Sequence, residues 1–130
     1  MIMVVSPDRY RSKIVCECLW QAGYQVQPIE TGRDALEAVA RKKPDLLLIE
    51  WELPDLNSLA MIRDLRRSEQ TERLPIILWG AEMGEEDIMA ALEAGADLCL
   101  NEAFHPQVWV ARVRAVLRRS RSKGQGTQVE

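Results

Sequence analysis

Apolar residues along the chain alternate between two spacings, and this alternation predicts a series of short strands separated by helices. Two apolar runs, residues 46–49 and 76–79, contain no polar residue at all. Continuous apolar runs are typical of strands buried on both faces, as in parallel sheets. The predicted strands cover residues 1–5, 24–29, 46–49, 76–79 and 98–100.

Segments with helical spacing and recognisable start signals lie between these strands. Ser6, followed by Pro7 and Asp8, predicts the N-terminal cap of a first helix that Gly23 ends. Later helices are predicted to start at Thr31, at Asn57 or Ser58, at Glu85 and at His105-Pro106, the one from Glu85 ending at Gly95. The first helix has a predicted apolar stripe of Tyr10, Ile14, Val15, Cys18, Leu19 and Ala22. Strands that alternate with helices predict a parallel sheet covered on both faces.

Composition supports a single domain and argues against several classes of protein. The chain has 130 residues, of which 47% are hydrophobic, and this length suits one core. The net charge of −3 argues against a nucleic-acid-binding domain, which usually has a surplus of basic residues. No apolar run is long enough to cross a membrane. Three cysteines without a C-x-x-C pair, and a single histidine, indicate reduced thiols in the cytoplasm and no zinc site.

The composition changes near the C-terminus. The segment after Leu117 contains four basic residues and one acidic residue, together with two glycines. We therefore expect a domain over residues 1–119 and a flexible polar tail over residues 120–130. The basic residues are expected to be solvated at a helix end. A linker toward an output domain and a weak contact with nucleic-acid phosphates are the alternatives.

The carboxyl ends of the predicted strands carry acids and no base. In open α/β sheets, ligands bind where loops leave these ends. The acids there are Asp8, Glu50, Glu52 and Glu102, and no lysine or arginine lies at the strand tips, although Arg9 follows closely. A site for an anion would need a cation or a glycine-rich turn. Two alternatives remain, namely a divalent-cation site built from these oxygens and a set of carboxylates each solvated at its own loop.

The ordered motifs of the chain resemble the receiver domain of two-component response regulators. The resemblance covers roughly residues 1–119 and implies a flavodoxin-like (βα)5 three-layer sandwich with a five-stranded parallel sheet. The matching stretches are Met1-Ile2-Met3-Val4-Val5, Ala22-Gly23-Tyr24, Pro44-Asp45-Leu46-Leu47-Leu48-Ile49, Leu53-Pro54, Leu74-Pro75-Ile76-Ile77-Leu78, Ala91-Leu92-Glu93-Ala94-Gly95-Ala96-Asp97 and the segment from Ala111 to Arg119.

The resemblance also identifies positions at which this chain departs from the family. Family members take a phosphoryl group from a histidine kinase on an aspartate, and Glu50 stands at that position. Their two acids that hold Mg²⁺ correspond to Ser6 and Pro7, with Asp8 one step beyond. Their Ser/Thr, lysine and aromatic switch positions correspond to Gly80, Glu102 and Cys99, and Ala103 replaces the proline that usually follows the lysine.

These departures predict that the usual Mg²⁺-dependent phosphorylation is lost and that no cofactor is bound. Proline cannot ligate a metal, serine is a poor ligand, and Glu102 would repel a phosphoryl group. Glu50 has two interpretations: its longer side chain imitates the phosphorylated state, or it is a solvated carboxylate without a role in signalling. A phosphorylatable receiver with Glu50 as its acceptor, and a cation-binding module of Asp8, Glu50 and Glu102, remain alternatives.

The main hypothesis is therefore a non-enzymatic pseudo-receiver that acts by binding a protein. The candidate partners are a histidine kinase, an output domain and a second copy of the chain. Leu98 and Val108 stand where the family usually has charged residues, on the face that receivers use for dimerisation. Trp20 lies off the predicted stripe of the first helix and is expected to be exposed. Trp51 follows Glu50 directly and is expected to cover the altered cleft.

Overall fold

The computed structural model describes residues 1–101 and 104–129, and it contains five strands that alternate with five helices. Glu102 and Ala103 therefore lie outside the described residues. In chain order the elements are β1 (Ile2–Val5), α1 (Arg9–Gln21), β2 (Val26–Ile29), α2 (Gly32–Arg41), β3 (Leu46–Glu50), α3 (Ser58–Arg67), β4 (Ile76–Trp79), α4 (Glu85–Ala94), β5 (Leu98–Leu100) and α5 (Pro106–Val129).

All neighbouring strands pair in parallel, in the order β2-β1-β3-β4-β5. The core is divided by the sheet into two apolar clusters. One cluster packs the sheet against α2, α3 and α4, and the other packs it against α1 and α5. The predicted flavodoxin-like three-layer architecture is confirmed. Because β1, β3 and β4 are central, every side chain of these strands is buried, as predicted for the continuous apolar runs at residues 46–49 and 76–79.

The first helix differs from the prediction in its cap and in its buried face. Asp8, and not Ser6, caps α1, since its carboxylate accepts the backbone N–H groups of Tyr10 and Arg11. The predicted stripe is correct for Val15 and Leu19, which are buried, and wrong for Tyr10 and Ile14, since Tyr10 is 76% exposed and Ile14 is exposed as well. The face that packs on the sheet consists of Ser12, Val15, Cys16 and Leu19.

The other predicted helix signals are confirmed. The side chain of Thr31 accepts the N–H of Asp34 at the start of α2, and Asn57 caps α3 in the same way. Gly95 ends α4 with a φ of +124°, a backbone angle that favours glycine. These capped ends fix the lengths of the helices and thereby the positions of the loops around the sheet.

The last helix continues beyond the predicted end of the domain. The backbone of α5 is helical through Val129, so α5 includes residues 120–129 of the predicted tail. The boundary after residue 119 stays a prediction. None of the helices in the described part of the chain is both long and apolar enough to span a membrane.

Candidate functional site

The carboxyl ends of β1 and β3 bring Ser6 and Glu50 together. Val5 and Ile49 are paired in the sheet, so the residues that follow them emerge side by side. Both Ser6 and Glu50 are buried, with 1% and 4% of their surface exposed. The hydroxyl of Ser6 donates a hydrogen bond of 2.7 Å to Oε2 of Glu50. The position that corresponds to the family's phosphoacceptor is therefore occupied by a buried carboxylate that accepts a hydrogen bond from a hydroxyl group.

The second oxygen of this carboxylate is bound by an arginine. Nη1 of Arg11 lies 2.6 Å from Oε1 of Glu50. The hydrogen bond and the charge of Glu50 raise the pKa of the Arg11 guanidinium above its ordinary value, so the arginine stays a cation. Each oxygen of Glu50 thus has a hydrogen-bond donor, and the negative charge is matched by a positive one.

Arg11 is positioned by the first turn of α1. Asp8 caps the helix through its Oδ1, while its Oδ2 lies 3.6 Å from Nε of Arg11. The hydroxyl of Ser6 also accepts the backbone N–H of Asp8, which fixes the turn that leads into the helix. Because Arg11 comes less than one turn after this cap, its side chain extends back over the end of the sheet to Glu50.

The predicted absence of positive charge at this end of the sheet is wrong. Sequence reasoning considered Arg9, which instead pairs with Glu30 at the surface, and it missed Arg11. The available signal was an arginine three residues after Asp8 in a first helical turn. The interpretation of Glu50 as a solvated carboxylate is also wrong, because Glu50 is buried and paired. Glu52 is exposed, as expected of a solvated acid.

The residues around Glu50 do not fit the divalent cation that the resemblance implies. Pro7 has no ligand atom on its side chain, and the carboxylate of Asp8 is used by the start of α1. The Ser6 hydroxyl is hydrogen-bonded to one oxygen of Glu50, and the guanidinium of Arg11 is hydrogen-bonded to the other. No cluster of three or more His, Cys, Asp or Glu side chains with metal-binding spacing occurs among the residues that the structure describes.

Gly80, at the Ser/Thr position of the family, lies against Trp51. A β-carbon added to Gly80 would be 2.8 Å from Cβ of Trp51. Trp51 is only partly buried and packs against the cluster on the α2, α3 and α4 side of the sheet. The expectation that Trp51 covers the cleft stays a prediction; the structure places its β-carbon against Gly80.

The remaining predicted positions lie on β5, α5 and α1. Cys99, at the position of the aromatic switch, is a free and partly buried thiol whose pKa is raised by burial. Val108 and Trp20 are exposed, at 39% and 50%, whereas Leu98 packs partly against the core. Trp20 is thus exposed as predicted, but Leu98 contributes less apolar surface than expected.

Two exposed apolar residues of α4 were missed by sequence reasoning. Met89 and Leu92 are 60% and 47% exposed, three residues apart on one side of the helix. The signal was present in the sequence, because both lie among polar residues on the side of α4 opposite the buried Ala91 and Ala94. Together with Val108 they add apolar surface to the two helices that flank β5.

Comparison with known proteins identifies the family. The family profile described as "Response regulator receiver domain" matches residues 2–114. The phosphate regulon transcriptional regulatory protein PhoB of Pseudomonas aeruginosa is 34% identical over 119 residues, which is 92% of this chain and 52% of the relative. The DNA-binding response regulator MtrA of Mycolicibacterium paratuberculosis is 35% identical over 119 residues, again 92% of this chain and 52% of the relative.

Solved structures share the same fold. The chemotaxis response regulator CheY4 of Vibrio cholerae matches with a TM-score of 0.82 at 22% identity, over 88% of this chain and 96% of that one. NtrX from Brucella abortus matches with a TM-score of 0.91 at 20% identity, over 99% of this chain and 29% of that one. The chain belongs to the response regulator receiver domain family, and it spans about half the length of the curated relatives described above.

Proposed function

We propose that this chain is an atypical, non-enzymatic receiver domain that acts by binding proteins and is not phosphorylated by the usual Mg²⁺-dependent route. The observation that carries the proposal is the engagement of both oxygens of Glu50 by Arg11 and Ser6. The proposal places the domain in the cytoplasm, in keeping with its three free cysteines.

The chemistry of phosphoryl transfer explains why this engagement matters. A carboxylate that attacks a phosphoryl group needs a free oxygen, and a metal ion usually neutralises the charge that gathers there. Both oxygens of Glu50 already accept hydrogen bonds, and the guanidinium of Arg11 balances its negative charge. Uptake of a phosphoryl group would require Arg11 to leave a buried carboxylate, which is costly.

Incubation with acetyl phosphate and Mg²⁺, followed by intact-mass measurement, tests the proposal. We expect no stable phosphoryl adduct on the native chain or on the Glu50→Gln variant. An adduct on the native chain that Glu50→Gln lacks would overturn the proposal and support the alternative, a phosphorylatable receiver with its acceptor at Glu50. An adduct on both would also overturn it and place the acceptor elsewhere.

The cation-binding alternative has its own test. Titration calorimetry with Mg²⁺, Ca²⁺ and Mn²⁺ should show no binding heat, because Asp8 caps α1 and Glu50 is paired. Binding that Glu50→Gln abolishes would establish a cation site. Such a result would contradict the role assigned to Arg11.

The apolar surface on α4 and α5 supports a protein partner. Met89 and Leu92 on α4 and Val108 on α5 are exposed on the helices that flank β5. Exposed apolar side chains that share one side of a helix, as Met89 and Leu92 do on α4, favour a contact surface in a soluble domain. A second copy of the chain is the partner to test first, and a histidine kinase or an output domain is the alternative.

Sedimentation velocity with a matched pair of variants tests this surface. We expect the native chain to self-associate and the Met89→Glu/Leu92→Glu variant to be monomeric. The Tyr10→Glu/Ile14→Glu variant, which makes the same change on the exposed face of α1, should associate like the native chain. Equal loss of association in both variants would contradict the assignment. A monomeric native chain would exclude self-association through this surface.

A further inference from the structure

The chain segments that follow β3 and β4 approach each other unusually closely at Trp51 and Gly80. A β-carbon added to Gly80 would lie 2.8 Å from Cβ of Trp51 and 3.7 Å from its backbone nitrogen. Non-bonded carbon atoms prefer a separation of about 3.5–4.0 Å. The nearest atom is the first carbon of the Trp51 side chain, which no side-chain rotation can move away. Only glycine at position 80 is therefore compatible with this arrangement.

Trp51 is held in place by both of its backbone polar groups. Its N–H donates to the carbonyl of Trp79 over 2.6 Å, which extends the pairing of β3 with β4 by one residue. Its carbonyl accepts a 2.8 Å hydrogen bond from the hydroxyl of Ser58, a buried residue at the start of α3. Retreat of Trp51 from Gly80 would break at least one of these bonds.

The β4–α4 loop is fixed on the other side of the contact. The N–H of Gly80 donates to the carbonyl of Leu100 in β5, over 3.0 Å. Two residues later, Glu82 adopts a φ of +62°, which is uncommon for a residue with a side chain. Met83 then buries its side chain in the core. The loop follows a strained path between two fixed points, so neither end yields easily.

We propose that Gly80 allows this end of the sheet to close. Because glycine has no side chain, the loops after β3 and β4 can meet beside the buried Glu50. A β-carbon at position 80 would hold the two loops apart. Because the contact lies within the chain itself, the closed arrangement does not require a bound ligand. The proposal stands whether or not the chain accepts a phosphoryl group, since it concerns packing alone.

A double-mutant cycle tests the contact. Gly80→Ala is introduced into the native chain, into Trp51→Ala, which keeps the β-carbon, and into Trp51→Gly, which removes it. In the first two backgrounds we expect the urea-unfolding equilibrium constant to rise about 5- to 100-fold, as for other overpacked sites. In the Trp51→Gly background, Gly80→Ala should change the unfolding equilibrium constant by less than about twofold, because residue 51 no longer has a β-carbon for residue 80 to meet.

Gly84→Ala is the matched control in the same loop. A β-carbon at Gly84 would meet only Oδ2 of Asp87, at 3.7 Å, so its effect should be equal in all three backgrounds. If Trp51→Gly does not fold, amide hydrogen exchange replaces the cycle. Gly80→Ala should then speed exchange of the Trp51 amide at least about tenfold relative to the amides of β1, while Gly84→Ala leaves it unchanged. An equal effect of Gly80→Ala in all backgrounds, or unchanged Trp51 exchange, would overturn the proposal.

Discussion

The buried carboxylate of Glu50 requires a cation and hydrogen-bond donors close to it. Burying an ionised carboxylate costs several kcal/mol unless it is paired and hydrogen-bonded. Glu50 meets this requirement with Ser6 and Arg11, both from the segment that follows β1. The longer side chain of glutamate is therefore stabilised within the protein, and no external cation is needed for the fold.

Removing the arginine should expose this dependence. Arg11→Gln leaves Glu50 buried without its cation, and we expect the free energy of unfolding to fall by about 1–3 kcal/mol. The lower end applies because the side chain of Arg11 is itself 54% exposed, so water partly replaces it. Urea unfolding measures the loss.

Arg9→Gln provides the control for that measurement. Arg9 pairs with Glu30 at 2.8 Å, but both side chains are largely exposed. Such surface pairs contribute about 0–1 kcal/mol, so this variant should remain close to the native chain in stability. Equal losses for Arg9→Gln and Arg11→Gln would show that burial of Glu50 does not give Arg11 a special role.

Among the secondary-structure elements, α2 is held to the loop after β3 by a carboxylate. Asp55 accepts the backbone N–H groups of Gly32 and Arg33 at 3.0 and 2.9 Å, at the start of α2. This arrangement resembles an N-terminal cap provided by a distant residue, and it places a negative charge at the positive end of the helix dipole. The loop that follows Glu50 is thereby fixed to a helix on one face of the sheet.

Asp55→Ala should lower the free energy of unfolding by about 1 kcal/mol at neutral pH, as loss of a helix cap does. Burial would raise the pKa of Asp55, but the hydrogen bonds from the N–H groups of Arg33 and Gly32 hold it below its ordinary value. A lowered pKa means that the stabilisation is complete above the unfolded value and disappears as the pH falls through the folded one. Thermal unfolding of both proteins should therefore show a difference that shrinks below about pH 4. A difference independent of pH would contradict the role of the ionised carboxylate.

The first helix shows where periodicity in the sequence is insufficient. Apolar residues occupy more than half of its circumference, from Tyr10 and Ile14 to Val15 and Leu19. Any stripe chosen from so wide an arc is ambiguous, and the polar Ser12 disguises the face that packs on the sheet. Only docking against the sheet selects the Ser12, Val15, Cys16 and Leu19 face. The caps at Thr31 and Asn57 were predictable, because their hydrogen bonds are local.

At the scale of the whole molecule, Arg66 joins three segments at the end of the sheet opposite Glu50. Its guanidinium donates to the carbonyls of Leu74 and Gly95 at 2.6 and 2.9 Å, and to the carboxylate of Asp97 at 3.1 Å. Asp97 in turn accepts the N–H of Ile76, the first residue of β4. Burial lowers the pKa of Arg66, and the charge of Asp97 opposes that effect. One side chain thus connects α3 to the segments before β4 and β5.

Arg66→Lys is a conservative substitution, but it should lower the free energy of unfolding more than such substitutions usually do. Arg66→Lys loses the planar fork that reaches several acceptors at once, and we expect a loss of about 2 kcal/mol in the free energy of unfolding. Arg67→Lys on the same helix is the control, because Arg67 is exposed and its ion pair is with the exposed Asp64, at 3.4 Å. Urea unfolding should leave Arg67→Lys within about 0.5 kcal/mol of the native chain. Similar losses in the two variants would contradict the joining role of Arg66.

The sequence by itself determined the order of strands and helices, the parallel sheet and the presence of Ser6, Pro7, Glu50 and Gly80 at the ends of its strands. These features follow from local periodicity, from caps and from motif order, which short segments carry on their own. Only the tertiary structure decided that Arg11 lies on Glu50 and that Trp51 lies against Gly80. The first contact joins residues that are 39 positions apart in the sequence, and the second depends on the distance between neighbouring loops. Both contacts are set by the packing of helices on the sheet, which no short segment encodes.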